Sequence, residues 1–180
     1  QSDELTPTVP AGDFTVLELF RGPTSAFKDV ALCMLPQLLT KARAQKGMTD
    51  EILILTATSG DTGKAALSGF ADVPGVGICV FYPDGGVSAV QRAQMVTQEG
   101  NNVAVCAVKG NFDDAQTGVK NLFAAAVDGK LPGDHRSLST ANSINIGRLA
   151  PQITYYFKAY SDLLRHGVIQ MGEPVNFSVP

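Results

Sequence analysis

From Glu51 to Ala57 the chain reads EILILTA, a continuous apolar run of strand length. Such a run lacks the alternation of a half-solvated strand and suits one that is covered on both faces. Two further runs have the same character, Gly77 to Tyr82 (GICVFY) and Asn102 to Val108 (NVAVCAV). Helical segments are expected between and after them: Lys64 to Phe70, Ser88 to Thr97 with Ser88 as its cap, and Phe112 to Val127 opened by Asp113 and Asp114. Ser137 to Thr140 is a short edge-strand candidate. Parallel strands require crossovers, so the alternation predicts an α/β fold, an open parallel sheet with helices on both faces.

The flanks carry weaker patterns. Val30 to Ala44 places Leu32, Leu35, Leu38 and Leu39 at helical spacing, and Pro36 predicts a kink or an early break there. A long helix is expected from Ile144 to about Arg165, and Val175 to Val179 (VNFSV) as one more buried strand. Gln1 to Asp13, with two prolines and a glycine, reads as a connecting segment. There is no internal repeat.

Composition excludes several classes. The chain has 180 residues, 44% hydrophobic and 17% charged, which is globular rather than disordered. A net charge of -3 and no basic stripe argue against nucleic-acid binding. No run is long enough to cross a bilayer, and no secretory signal opens the chain, so a cytoplasmic protein without a membrane partner is expected. Cys33, Cys79 and Cys106 form no CxxC pair and read as reduced core residues. His135 and His166 lack ligand spacing, so no metal site is expected. The residues carry no signal for an oligomeric state.

Three polar segments stand out. Val16 to Phe20 reads as a short strand, followed by the Gly22-Pro23 turn and then by Lys28 at the mouth of a helix, behind Phe27 and two small residues. Packing there would desolvate the amine, and a neutral amine can form a Schiff base with an aldehyde. A surface lysine that simply begins a helix fits the spacing too. Thr58-Ser59-Gly60-Asp61-Thr62-Gly63 joins a buried strand to a helix; its free backbone donors favour an anion, with Ser59 and Thr62 hydroxyls as further donors. A tight capped turn is the other reading of that segment. It is too short for a nucleoside-triphosphate loop, and no Gly-x-Gly-x-x-Gly follows any strand. Asn142, Ser143, Asn145 and Arg148 open the long helix, where Arg148 offers a fork of donors suited to phosphate. Taken alone they also fit an N-cap cluster with an exposed arginine.

Together these segments resemble threonine synthases. The matching stretches are Glu18-Leu19-Phe20-Arg21-Gly22-Pro23-Thr24-Ser25-Ala26-Phe27-Lys28-Asp29, then Leu55-Thr56-Ala57-Thr58-Ser59-Gly60-Asp61-Thr62-Gly63-Lys64-Ala65-Ala66, then Ser139-Thr140-Ala141-Asn142-Ser143-Ile144-Asn145-Ile146-Gly147-Arg148-Leu149. They occur in family order, and the resemblance runs through nearly the whole chain. It implies the small domain of the tryptophan-synthase-beta-like, fold type II architecture. The implied division is a linker over 1–13, an α/β domain with the cofactor lysine over 14–170, and the first strand of a truncated larger domain over 171–180.

The implied activity is conversion of O-phospho-L-homoserine and water to L-threonine and phosphate, with pyridoxal 5'-phosphate held as a Schiff base on the catalytic residue Lys28. By the same resemblance Ser59, Gly60, Asp61 and Thr62 bind the cofactor. Thr58, Ser59, Thr62, Asn142, Ser143, Asn145 and Arg148 bind the substrate. Two departures accompany it. Arg21 stands where the family usually has histidine before Gly-Pro-Thr. The family's Gly-Asn-Phe-Gly phosphate loop is expected directly after Pro180, so the chain alone is expected to bind the cofactor poorly and to be inactive; Gly110-Asn111-Phe112 is a chance echo of that loop. The alternatives are a phospholyase of the same family, releasing a keto acid and ammonia, and a non-catalytic phosphate-binding α/β domain.

Overall fold

A computed structural model of the chain describes residues 4–130 and 136–179. In chain order the elements are β1 (Thr8–Ala11), β2 (Phe14–Leu17), α1 (Asp29–Gln45), β3 (Ile52–Ala57), α2 (Asp61–Phe70), β4 (Val76–Pro83) and α3 (Ala89–Val96). They continue with β5 (Val103–Val108), α4 (Phe112–Val127), β6 (Ser137–Ser139), α5 (Ile146–Gln152) and α6 (Thr154–Arg165). Strands β5-β4-β3-β6 form one parallel sheet in that order, with Ile52 opposite Val76 and Ser137, and Ile78 opposite Val103.

The pleat explains why the central runs are apolar throughout. Ile52 and Ile54 of β3, with Val76, Ile78, Val80 and Tyr82 of β4, pack against Leu32 and Leu35 of α1, Leu67 and Phe70 of α2 and Met95 of α3. Leu53, Leu55 and Ala57, with Cys79 and Phe81, face the other way onto Ala115, Val119 and Phe123 of α4. Helices therefore cover both faces. Burying each large side chain stabilises the fold by roughly 1.5–3 kcal/mol.

Several expectations are corrected. The segment read as a connector contains β1, which pairs antiparallel with β2. Thr8 anchors that hairpin by donating its hydroxyl to Asp162 at 2.6 Å, a carboxylate buried on α6 and also paired with Lys158 and Arg165. Helix α1 runs through Pro36 without a break; the ring is buried, and Thr40 Oγ1 donates to the Pro36 carbonyl at 2.8 Å. The expected long helix divides at Ile153, two residues after Pro151, whose missing N–H weakens the turn there. Residues 175–179 form no strand and leave Phe177 and Val179 exposed, because they pair with neither edge of the sheet. Cys33 and Cys106 are exposed rather than buried, and Cys79 is intermediate. Cys79 and Cys106 sit on the α4 face with sulfurs 3.7 Å apart.

Among the described residues no helix is long and apolar enough to cross a membrane. His135 lies outside the described residues, and His166 is exposed at the end of α6.

Candidate active site

Two loops leave the carboxyl ends of neighbouring strands, 58–60 after β3 and 140–145 after β6, and the start of α1 faces them. Ligands in open parallel sheets bind at such edges.

The loop ahead of α1 is built to present Lys28. Asp29, buried at the start of the helix, accepts from the Thr24 N–H at 2.9 Å, the Thr24 hydroxyl at 2.5 Å and the Ala26 N–H at 3.3 Å. Gly22 lies so close that an added Cβ would meet Asp29 Oδ2 at 2.4 Å. The turn therefore needs both residues. Tyr155 on α6 donates its hydroxyl to the Phe27 carbonyl. Lys28 occupies the N-cap position of α1, where its donor-only side chain makes no capping bond, and its amine lies 3.9 Å from the centre of the Phe27 ring. Its side chain retains 13% exposure, enough to be reached. Arg21, where histidine was expected, is held by Glu18 at 2.8 Å and 2.5 Å.

Around that amine the charges are unequal. Asp61 Oδ2 lies 4.0 Å from Lys28 Nζ, while Asp61 Oδ1 lies 3.4 Å from Lys64 Nζ and accepts from Gln91 Nε2 at 2.8 Å. Arg148 is 94% buried, since 6% remains exposed, and it has no carboxylate partner among the described residues. Among the described residues its one weak contact runs to the Ala141 carbonyl at 3.4 Å, and its Nε has no hydrogen-bond partner. Two lysines thus flank one carboxylate, and Arg148 adds a third positive charge near the Lys28 amine.

The electrostatics follow. Burial lowers the Lys28 amine below the usual lysine range; Asp61 opposes that, and Arg148 and Lys64 reinforce it. Burial also lowers Arg148. For Asp61, burial works against ionisation, but the Gln91 hydrogen bond and the Lys64 and Lys28 ammoniums outweigh it and hold the carboxyl below its ordinary range. The arrangement offers a primary amine that loses its proton more readily than an ordinary lysine, with surplus positive charge around it. That is chemistry for capturing an aldehyde that carries an anionic group.

The remaining predicted residues divide by what their polar atoms already hold. Thr58 is buried, and its hydroxyl oxygen accepts from the Gly60 and Gly63 N–H groups at 2.9 Å each, so it shapes the loop and is not turned outward. Gly60 takes φ 138°, a conformation that only glycine adopts readily. Asn142 bonds both sides of Ala57, accepting from its N–H at 3.2 Å and donating to its carbonyl at 2.8 Å, and so stitches the two loops together. Asn145 caps α5 by accepting from Gly147 at 2.9 Å and donates to the Thr140 carbonyl at 2.8 Å. Ser59 and Ser143 are exposed, Thr62 is intermediate, and none of their hydroxyls is engaged among the described residues. Arg148 is buried, against the exposed alternative. The Gly110-Asn111-Phe112 triplet is a helix start, with Asn111 and Asp114 forming the capping box of α4.

Sequence reasoning missed Lys64 and Gln91. Lys64 reads as half of an ordinary i,i+3 surface pair, although the apolar residues that follow it were a signal of burial. Gln91 is the third residue of the Ser88 capping box, and its position over Asp61 depends on how α3 packs against α2.

Fold and site together define a class, the small α/β domain of the tryptophan-synthase-beta-like, fold type II architecture. The structure of PLP-bound threonine synthase from Brucella melitensis superposes with a TM-score of 0.75 at 42% identity, over 88% of this chain and 33% of that one. Threonine synthase of Pseudomonas aeruginosa is 45% identical over 172 residues, 94% of this chain and 34% of the relative. Threonine synthase-like 1 of Homo sapiens is 38% identical over 177 residues, 94% of this chain and 23% of the relative. The chain is homologous to the threonine synthases and spans about a third of their length. No protein-family model matches it.

Proposed function

We propose that this chain is the lysine-bearing part of a pyridoxal-phosphate-dependent threonine synthase, a carbon-oxygen lyase that turns O-phospho-L-homoserine and water into L-threonine and phosphate. The observation that carries the reading is the Lys28 amine, desolvated yet reachable, set among Lys64 and Arg148 with Asp61 as the one nearby carboxylate among the described residues. The residues suit the cofactor: Lys28 offers the amine for its aldehyde, and the buried, unpartnered Arg148 Nε favours an anion. When bound, pyridoxal phosphate supplies an electron sink for carbanions next to the substrate amine.

The chain's own groups do the rest. Lys28 would hold the cofactor through Nζ, and the same atom would move protons at the substrate carbons. Ser59 and Thr62 hydroxyls, with the N–H groups at the start of α2, orient an anionic group of substrate or cofactor. Arg148 and Ser143 hold the substrate phosphate. Asp61, fixed by Gln91 and Lys64, balances charge beside the amine.

The test uses the full-length protein with added pyridoxal phosphate. A visible absorbance band is expected that disappears in Lys28→Ala and shifts when O-phospho-L-homoserine is added, with threonine and phosphate released together. Keto acid and ammonia in place of threonine would make it a phospholyase. A protein that gains no band would overturn the assignment of Lys28.

A further inference from the structure

Lys64 is in an unfavourable place for a lysine. Only 8% of it is exposed, so its ammonium has lost most of its water. It also lies in the first turn of α2, where the helix dipole is positive and disfavours a cation. Packing does not explain it, since its neighbours Ala65, Ala66 and Leu67 already fill the core side of the helix. What it does contact is Asp61 Oδ1, the same oxygen that Gln91 holds at 2.8 Å. The other oxygen, Oδ2, is left at 4.0 Å from Lys28, the outer limit of an ion pair.

We propose that Lys64 is a positioning residue that, with Gln91, holds the Asp61 carboxylate back from the Lys28 amine. The role rests on the reading of Lys28 as the reactive amine. Asp61 drawn fully onto Lys28 would form a close ion pair, and the proton would stay on the nitrogen that must attack. With Oδ1 restrained by an amide and an ammonium, the carboxylate is near enough to balance charge but too far to trap that proton. The charged groups facing Lys28 are Asp61 and Lys64 from α2 and Arg148 from α5, and the Phe27 ring lies against the amine. Gln91 reaches Asp61 from α3, Asp29 lies on α1 itself, and Tyr155 of α6 bonds the adjacent carbonyl. Gln91 bridges capping and chemistry: its Oε1 accepts from the Ser88 N–H at 3.2 Å while its Nε2 holds Asp61.

The test needs no cofactor. The lysines of the full-length protein are methylated with a carbon-13 label, the Lys28 signal is assigned by its loss in Lys28→Ala, and its titration midpoint is read by NMR. Lys64→Met is expected to raise the midpoint by about one pH unit, a tenfold change in the neutral fraction. Lys64→Arg should leave it near the starting value. Gln91→Leu cuts the other restraint on the same oxygen without altering any charge, and it should also raise the midpoint. It keeps the question open to test if Lys64→Met does not fold. In an Asp61→Asn background the effect of Lys64→Met should shrink to less than half, because the carboxylate it restrains is gone. An unmoved midpoint in both Lys64→Met and Gln91→Leu, or an equal shift with and without Asp61, overturns the proposal. Failure of the pyridoxal-phosphate reading would show instead as a missing visible band, with this titration unaffected.

Discussion

Tyr155 donates its hydroxyl to the carbonyl of Phe27, 128 positions away, and so fixes the residue immediately ahead of Lys28 to helix α6. Burial first, then the Asp29 carboxylate and the Cys33 thiol, push the phenol up to about 12 from 10.0. The neutral phenol is thus favoured in the folded state. Its contribution to stability is complete below pH 10 and is lost as pH rises towards about 12. Urea unfolding at a series of alkaline pH values should show that decline, and Tyr155→Phe should remove it while costing about 1–2 kcal/mol at neutral pH through the unpaired carbonyl.

Asp162 links α6 to the hairpin through Thr8, with Lys158 and Arg165 as its ion partners. Burial opposes ionisation, but the hydrogen bonds from Lys158 and Thr8 and the nearby cations hold it at about 2, below the ordinary 3.8. Its stabilisation is present above pH 3.8 and disappears as pH falls through about 2. Asp162→Asn should flatten the acid limb of the stability curve and lower stability at pH 7 by about 2 kcal/mol. Hydrogen exchange should speed up first at the amides of β1 and β2.

Gly60 is fixed by two constraints at once. Its φ of 138° is strained for any other residue, and an added Cβ would meet the Gln91 carboxamide at 2.4 Å. Gly60→Ala should cost about 1–3 kcal/mol from backbone strain. It should also displace Gln91 from Asp61 and weaken phosphate binding, read by calorimetry with inorganic phosphate.

Arg148 sets stability against function. A buried guanidinium without an acid partner is a cost to the fold, so Arg148→Met should unfold at a higher urea concentration, by about 1 kcal/mol. The same variant should raise KM for O-phospho-L-homoserine tenfold or more. A variant that is less stable and binds phosphate unchanged would contradict the placement of the arginine in an anion pocket.

Cys79 is the least reactive thiol expected of the three. Burial and the neighbouring Cys106 push it up to about 12, so at pH 8 it is almost wholly protonated. Mass spectrometry after brief iodoacetamide treatment should find Cys106 alkylated well before Cys79.

The sheet was legible because burial on both faces writes itself into consecutive apolar residues, as in Ile52 to Ala57 and Val76 to Tyr82. The hairpin was not, because Pro7, Pro10 and Gly12 look like a linker, and Asp162, the residue that anchors β1, lies 154 positions from Thr8. Pro36 misled for a related reason: local chemistry predicts a break, but a buried face on α1 outweighs one lost hydrogen bond. At the candidate site, Lys28 and Arg148 were singled out by their segments, although the burial of Arg148 was not. The uses of Thr58, Asn142 and Asn145 did not, since sequence shows that an amide or hydroxyl is present and not which backbone group it already holds.

The bonds between Asn142 and Ala57 join positions 85 apart, and β6 meets β3 over a similar separation. Closing so long a loop is slow compared with forming helices, because chain entropy is spent before the contact rewards it. Asp61 can therefore take its place early in refolding, while Arg148 arrives only when β6 docks and the backbone ahead of Lys28 is fixed only when α6 does. Affinity for phosphate should return last, after the helical signal has recovered, so that the order of assembly is recorded in when the pocket first holds an anion.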